Sequence, residues 1–559
     1  MNMTRRDLLK ASGAVTAATA LAAAAPVLAD EAAEPAVDWR TPPEPVSEFA
    51  AEYTYDAVVV GCGYAGVCAC RELAEEGFAV ALVETQPEDD FSVIGNESSA
   101  LNSKLLDRAG VPHVDPVEYY QNWMAATQNY PNADLVMKFC VNMGEANDWY
   151  YGVLTEDELA TMVPNGWPGT ANRLAQVGPF KFWPGTAQFE TEGVKQTQIV
   201  ERNRDEAVKC GAQTYFGTEA LYLVTEDGAV KGLVAQGPDG AVKFNCRAVV
   251  VATGGFANNH QMLADLCPDY IGNFVEGEEV QGATHSDGRG IQMALWAGAR
   301  LETISMPTMN GKHVDVPTNR VNVPQAVWLG ADGKRFCNEY YPIIEHRGTP
   351  PLYRERQTYY AIADSDILTY VEYNVPQHGT FNPTEANLEN LAQQLEIARA
   401  KYQGTYEEPE QAPRAYVAIS CCDDTLEGLA AQLGLEGEVA QNFLDSIERY
   451  NGYCETGADL EYGRYAETLF PVKNPPFYAI VGTPGMGKIM TTVGGVITDG
   501  DQNALDKDFK PIPGLYVSGN DCGRRFGTEY ITPTPGVSLG MAITLGRECG
   551  RSVGAFLNA

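Results

Sequence analysis

Apolar positions along the chain follow two periods. Short unbroken runs occur at Ala57-Val58-Val59-Val60, Ala79-Val80-Ala81-Leu82-Val83, Ala248-Val249-Val250-Val251 and Leu515-Tyr516-Val517. Runs of this kind, rich in β-branched residues, read as strands covered on both faces. Thr218–Val224 and Val230–Ala235 alternate instead around Glu226-Asp227-Gly228, which predicts a hairpin. Helical spacing runs through Val67–Glu76, long stretches between 117 and 150, Leu388–Tyr402 and Leu426–Tyr450. Asp287-Gly288 caps a helix opening at Arg289, and Pro535-Gly536 leads into a last one. Strands alternating with helices predict an α/β fold around a mostly parallel sheet. From about 303 to 487 the pattern becomes irregular, with prolines and many tyrosines, and predicts an inserted domain.

The first strand carries the densest signal. It runs into Gly61-Cys62-Gly63-Tyr64-Ala65-Gly66, a helical pattern follows, and the second run ends on Glu84. Gly61 permits a tight turn, Gly63 lets the backbone approach a pyrophosphate, and Gly66 lets the helix pack close to the strand. The helix N-terminus favours phosphate charge, and Glu84 stands where it can accept from a ribose hydroxyl. A glycine loop alone is a weak signal; strand, helix, second strand and acid in register predict a dinucleotide site.

The length of 559 residues exceeds what one core supports. A formal net charge of -35 argues against nucleic acid as a partner, because a phosphate backbone would be repelled. Thr4-Arg5-Arg6-Asp7-Leu8-Leu9-Lys10, an alanine-rich stretch and Val27-Leu28-Ala29 make residues 1–29 a removable twin-arginine export signal. The Tat translocase is therefore an expected partner, and the periplasm or the outer face of the cytoplasmic membrane the expected location. Residues 30–52, rich in Pro, Ala and Glu, read as a linker. Thirteen cysteines in an exported chain would ordinarily mean disulfides. Their spacing predicts buried small hydrophobes and no metal site, since Cys62, Cys68 and Cys70 fall on the glycine loop and its helix and no C-x-x-C occurs.

Further landmarks follow in order: Asn96–Ser103, Ala252-Thr253-Gly254-Gly255, Asp287-Gly288, Gly333-Lys334-Arg335-Phe336-Cys337-Asn338-Glu339, Val493-Gly494-Gly495 and Gly514–Gly519. The ordered set resembles the fumarate reductase/succinate dehydrogenase flavoprotein superfamily, in its branch of soluble flavoreductases and 3-ketosteroid dehydrogenases. The resemblance implies a Rossmann-like FAD-binding domain in two parts, 53–302 and 488–559, split by an α+β capping domain at 303–487. Substrate would lie between cap and isoalloxazine. FAD contacts are then expected from Gly61, Gly63, Tyr64, Ala65, Gly66 and Glu84. Ser98 and Ser99 would face the phosphate or ribityl region, and Ala220 the adenine. Ala252, Thr253, Gly254 and Asp287 are expected to contribute as well. Gly519 and Asn520, the latter replacing the family's glutamate, fall at the ribityl chain. Gly536, Ser538 and Leu539 fall at the flavin pyrimidine, where a helix N-terminus stabilises reduced, anionic flavin. The family's covalent histidine position corresponds to Glu97, so non-covalent FAD is expected.

Departures from the family bear on the substrate. Arginines and a histidine that clamp fumarate correspond here to Ile343, Thr491 or Thr492, and Pro533. Each lost charge-assisted hydrogen bond is worth roughly 1.5–3 kcal/mol, which argues against fumarate. Tyrosines stand nearby instead: Tyr340, Tyr341 and Tyr530. For a C=C conjugated to a carbonyl, flavin N5 delivers hydride to the β-carbon and a phenol protonates the α-carbon. A second donor polarises the carbonyl. Tyr530 is the first candidate acid and Tyr341 the second, with Tyr340 or an amide near Gly536 as carbonyl donor. Glu529 and Arg524-Arg525 read as substrate contacts or a solvated turn, the turn being favoured, and His346-Arg347 is the other candidate acid pair. The expected activity is reduction of an unsaturated carbonyl compound. Electrons would come from an external donor, a membrane-attached cytochrome, because an exported protein has no NADH. The alternatives are a 3-ketosteroid-type dehydrogenase and a flavin electron carrier without its own substrate.

Overall fold

The computed structural model describes residues 38–164, 173–189, 194–268, 286–309, 313–314, 323, 325–340, 358–376, 383–409, 419–482, 484–485, 490–530 and 533–559. The export signal and the start of the expected linker lie outside the described residues.

The site is built on β1 (Ala57–Val60), α1 (Tyr64–Glu75), β2 (Val80–Val83), β3 (Gln213–Tyr215) and β4 (Ala248–Val251). The chain returns to it with β5 (Asn503–Leu505), β6 (Pro511–Val517) and α2 (Val537–Asn558). The six strands assemble in the order β5-β6-β4-β1-β2-β3, parallel throughout except that β5 runs antiparallel to β6. Every residue of β1, β2 and β4 is buried. That is why these runs show no polar alternation: helices cover one face of the sheet and the hairpin sheet packs on the other, and each buried valine contributes about 1.5–3 kcal/mol. Helix α2 packs along α1 at glycines. A Cβ at Gly546 would come 2.5 Å from the Ala65 carbonyl oxygen, and one at Gly550 would come 3.0 Å from that of Ala69.

The predicted hairpin forms between Glu219–Glu226 and Ala229–Gly237, turning at Asp227 (φ 50°) and Gly228 (φ 77°). Gly240–Asn245 extends this sheet, and Ala51–Thr54 pairs with it in parallel, Ala51 opposite Val242. The expected linker therefore ends differently: Ala51 and Glu52 belong to a strand. Trp39 is buried and donates its Nε1–H to Asp265 at 2.8 Å. A four-residue strand recruited by the free edge of another leaves no periodicity to read.

Residues 327–482 form a sheet of their own. Val327–Gly330, Tyr359–Ala363, Phe477–Gly482 and Cys421–Asp423 pair antiparallel in that order. The helices Glu385–Gln403, Leu426–Gln432 and Gly437–Thr456 accompany them. The single helix expected over Leu426–Tyr450 is thus two. Gly434 (φ 71°) and Gly437 (φ 56°) take left-handed conformations between them, which a continuous helix cannot hold.

The Gly333–Glu339 motif serves this region. The Arg335 guanidinium meets both oxygens of Glu339 at 2.8 Å and those of Asp459 at 3.1 and 2.9 Å. Arg464 Nη1 adds a contact to Glu339 at 3.3 Å, and the side chains of all four residues are fully buried. Removing one member would leave a buried charge uncompensated, at a cost of about 3–5 kcal/mol. All thirteen cysteines are free thiols, and only Cys210 is exposed. Among the described residues no helix is long and apolar enough to cross a membrane.

Candidate active site

The carboxyl ends of β1, β4 and β6 meet at the glycine loop. Gly61 turns there with φ 101°, and a Cβ on it would lie 2.3 Å from the Ala252 carbonyl oxygen. A Cβ on Gly66 would lie 1.8 Å from the Gly61 oxygen. Gly63 is different: among the described residues, its chain neighbours aside, no heavy atom stands within 4 Å of where its Cβ would be. The first and third glycines therefore close the turn against its own walls, while the second faces open room. Gly519 (φ 65°) arrives from the end of β6, its Cβ position 3.0 Å from that of Ala65. Tyr64 is buried and its hydroxyl donates to the Ile94 carbonyl at 3.1 Å. Glu84 accepts from Cys62 N at 2.7 Å and Gln86 N at 2.9 Å, so its carboxylate is fixed beside the loop. A carboxylate has about four lone-pair sites, so two remain for ribose hydroxyls.

Other expected contacts are used by the chain itself. The Thr253 N–H donates to Asp521 Oδ2, as do the Thr253 hydroxyl at 2.9 Å and Gly254 N at 3.3 Å. Gly255 N donates to Asp521 Oδ1 at 2.9 Å. The amides of Thr253 and Gly254 therefore hold a carboxylate of this chain. Burial pushes the Asp521 carboxyl up, and these hydrogen bonds oppose the shift. The hydroxyls of Ser98 and Ser99 also have partners within the chain. The Ser98 hydroxyl donates to Asn147 at 2.8 Å and contacts the Tyr151 hydroxyl at 2.8 Å, while that of Ser99 points at Met143 Sδ, 3.0 Å away. Both turn toward the helix Ala133–Tyr151 because their strand lies against the start of α2. Ser99 N donates to Gly536 O at 2.9 Å, and a Cβ on Gly536 would strike the Ser98 carbonyl carbon at 2.8 Å. Leu539 packs over Gly95 in the same layer.

Ala220 is buried at the start of its strand. Asp287 stands near that strand as a helix cap, its carboxylate accepting from Arg289 N at 2.9 Å. Arg289 Nη2 in turn reaches Glu219 at 3.2 Å.

Of the candidate acids, Tyr530 meets the last helix. It is 3% exposed and its hydroxyl accepts from Ser538 N at 3.1 Å, in the first turn of α2. Its ring stacks edge-on with Phe526 at 5.0 Å, in an apolar cluster with Tyr119, Trp123, Met309 and Val493, against which Trp183 packs. Tyr340 is a correction. Its ring is fully buried among Ala126, Phe182, Val375 and Phe470, and its hydroxyl donates to the Tyr373 carbonyl at 2.8 Å. A buried phenol needs such an acceptor, and this one ties Tyr340 to the chain reversal at 373–374 and not to a substrate. Tyr341, Ile343 and His346-Arg347 lie outside the described residues.

Two residues were missed by sequence reasoning. Asp521 follows an apolar strand and Gly519-Asn520, and an acid between buried positions is a usable signal. Arg525, read above as part of a solvated turn, is 1% exposed. Its Nε donates to Cys522 O at 2.8 Å and its Nη2 to Asn520 Oδ1 at 3.0 Å and Val493 O at 3.4 Å, while its Nη1 has no partner among the described residues. Asn520 passes the contact on, donating to Thr491 Oγ1 at 3.1 Å.

The open room at Gly63, the anchored Glu84 and the orphaned Arg525 Nη1 fit a bound dinucleotide. Gly63→Val would put a branched side chain into the phosphate space without touching the core. We expect a folded protein with FAD bound about 100-fold more weakly, the loss of roughly one charge-assisted hydrogen bond. Flavin absorbance of the purified variant and its affinity for added FAD measure this.

Comparison with known proteins agrees with this geometry. Residues 56–539 match the family described as FAD binding domain, and residues 2–22 match the twin-arginine translocation pathway signal sequence. The chain is therefore exported by the twin-arginine route. Vinyl phenol reductase of Lactiplantibacillus plantarum is 24% identical over 89% of this chain and 96% of its own. Digoxin reductase of Eggerthella lenta is 26% identical over 99% of this chain and 97% of its own. Among solved structures, 3-ketosteroid-delta4-(5alpha)-dehydrogenase from Rhodococcus jostii RHA1 superposes with a TM-score of 0.63 at 21% identity, covering 91% of this chain and 98% of the other. The chain belongs to the FAD-binding domain family within the fumarate reductase/succinate dehydrogenase flavoprotein superfamily, and is an FAD-dependent oxidoreductase acting on C=C or CH–CH groups.

Proposed function

We propose that the protein reduces a C=C bond conjugated to a carbonyl in a largely apolar substrate, with Tyr530 as proton donor and FAD held non-covalently. The observation that carries this reading is the Tyr530 hydroxyl at the N-terminus of α2, inside an aromatic and thioether cluster. FAD, when bound, supplies the hydride. Tyr530 holds the proton at its Oη. The Ser538 N–H pointing at that oxygen favours the charge left when the proton departs, and the helix N-terminus adds to it. Tyr119, Phe526 and Met309 exclude water around the phenol. Two full-length relatives named as reductases support the reductive direction. We take residues 303–487 as the cap, the periplasm or outer membrane face as the site of action, and a membrane-attached cytochrome as the donor.

The test is anaerobic. The purified FAD-loaded protein is reduced with dithionite, and enones, enoates, urocanate and steroids are added singly while flavin absorbance is followed. At least one conjugated alkene should reoxidise the flavin within the mixing time; if none does, the protein is not an ene-reductase of this kind.

A further inference from the structure

A buried guanidinium ordinarily meets a carboxylate. Among the described residues none hydrogen-bonds Arg525, although two buried carboxylates stand near enough to feel its charge, Glu302 and Asp521. Both are engaged elsewhere. Glu302 accepts from Arg524 N at 2.8 Å, Gly495 N at 3.2 Å and the Tyr130 hydroxyl at 3.1 Å. Asp521 holds the Thr253–Gly255 amides. The acceptors Arg525 does find are neutral: two backbone carbonyls and the Asn520 amide oxygen. Burial alone lowers its pKa, as expected of a cation whose charge is only partly answered. A full positive charge with both N–H groups of Nη1 unmet is too costly to be mere packing.

Its position says what would answer it. Nη2 is bonded to Asn520, the residue at the family's ribityl-binding position, and to the carbonyl of Val493 in Val-Gly-Gly. The same loop runs on through Phe526 to Tyr530, which receives the Ser538 N–H at the start of α2. The guanidinium is therefore tied to Asn520 on the loop that ends at Tyr530 and the start of α2. We infer that Arg525 is the flavin's cation: Nη1 is held for an oxygen or nitrogen on the pyrimidine side, where negative charge accumulates in the reduced form. It acts beside the N-terminus of α2, so that reduced flavin is held more tightly than oxidised. This rests on FAD binding and deepens the reading of the site, independently of which alkene is reduced.

Spectroelectrochemical titration of the FAD-loaded protein without substrate tests it. R525M should weaken the preference for reduced over oxidised flavin at least tenfold, lowering the midpoint by about 30 mV for a two-electron couple. R525K, which keeps the charge, should recover most of that shift. If R525M does not accumulate, R525Q carries the same expectation. A purely structural Arg525 would lower the melting temperature of every variant and leave the preference within twofold of the wild type, and that result overturns the inference. The titration contains no substrate, so a failed alkene screen leaves it standing, and a failed titration leaves the screen standing.

Discussion

Tyr530→Phe should keep its FAD and lose turnover by about 10²–10⁴-fold, the range a positioned general acid supplies. Phenylalanine preserves the edge-on contact with Phe526 and the packing against Val493 and Met309, so the pocket keeps its shape. What disappears is the hydroxyl and, with it, the acceptor for the Ser538 N–H. That buried donor then stands unmet, which costs about 1–3 kcal/mol and should appear as a modest fall in melting temperature. The two effects separate cleanly. Flavin reduction by dithionite should be unimpaired, whereas reoxidation by the best alkene in single turnover should slow. An unchanged reoxidation rate would assign the proton to another group, and a protein that merely carries electrons would show no loss at all.

Asp521→Ala should be the most damaging single change to the fold near the site. The carboxylate accepts from three consecutive backbone amides, Thr253 to Gly255, and from the Thr253 hydroxyl. It thereby ties the end of β4 to the turn after β6. Truncation leaves three amides without that partner, Gly255 buried and the other two half-buried, and hydrogen bonds to a charged group are worth about 1.5–3 kcal/mol each. Allowing for relaxation, we expect a loss of about 3–6 kcal/mol. Asp521→Asn should not rescue it, because the amide would turn an N–H₂ toward donors. Thermal unfolding followed by tryptophan and flavin fluorescence should show both transitions moving down together. If flavin release alone moved, Asp521 would be a cofactor contact and not a structural tie.

Much of the cofactor half of the protein was legible in residue order. β1, β2, β4 and β6 announce themselves because a doubly covered strand must be apolar throughout, and Gly61 and Gly66 because their walls leave no room for a Cβ. The hairpin at Asp227-Gly228 was equally plain, since its alternation and turn are local. The strand Ala51–Thr54 and the break at Gly434 were not, because one depends on a distant edge and the other on a glycine that helices sometimes tolerate.

Side-chain partnership was the harder matter. Sequence order predicted cofactor contacts for Thr253, Gly254, Ser98 and Ser99, yet the chain supplies its own partners in Asp521, Asn147 and Tyr151. Tyr340 follows a family motif, but its ring faces a second cluster and its hydroxyl an internal carbonyl. Arg525 shares a polar-looking loop with Arg524, and no local pattern says which of two adjacent arginines points inward.

By itself, then, the sequence determined the α/β class, the twin-arginine signal, the glycine loop and the dinucleotide it binds, because each depends on contacts within a few residues or on a turn only glycine allows. The tertiary structure decided which groups are free to act. Burial closes both Tyr340 and Asp521 into the fold, the first on a carbonyl 33 residues away and the second on amides 268 residues away. Packing also sets Tyr530 against the first turn of α2 and leaves Nη1 of Arg525 unanswered among the described residues.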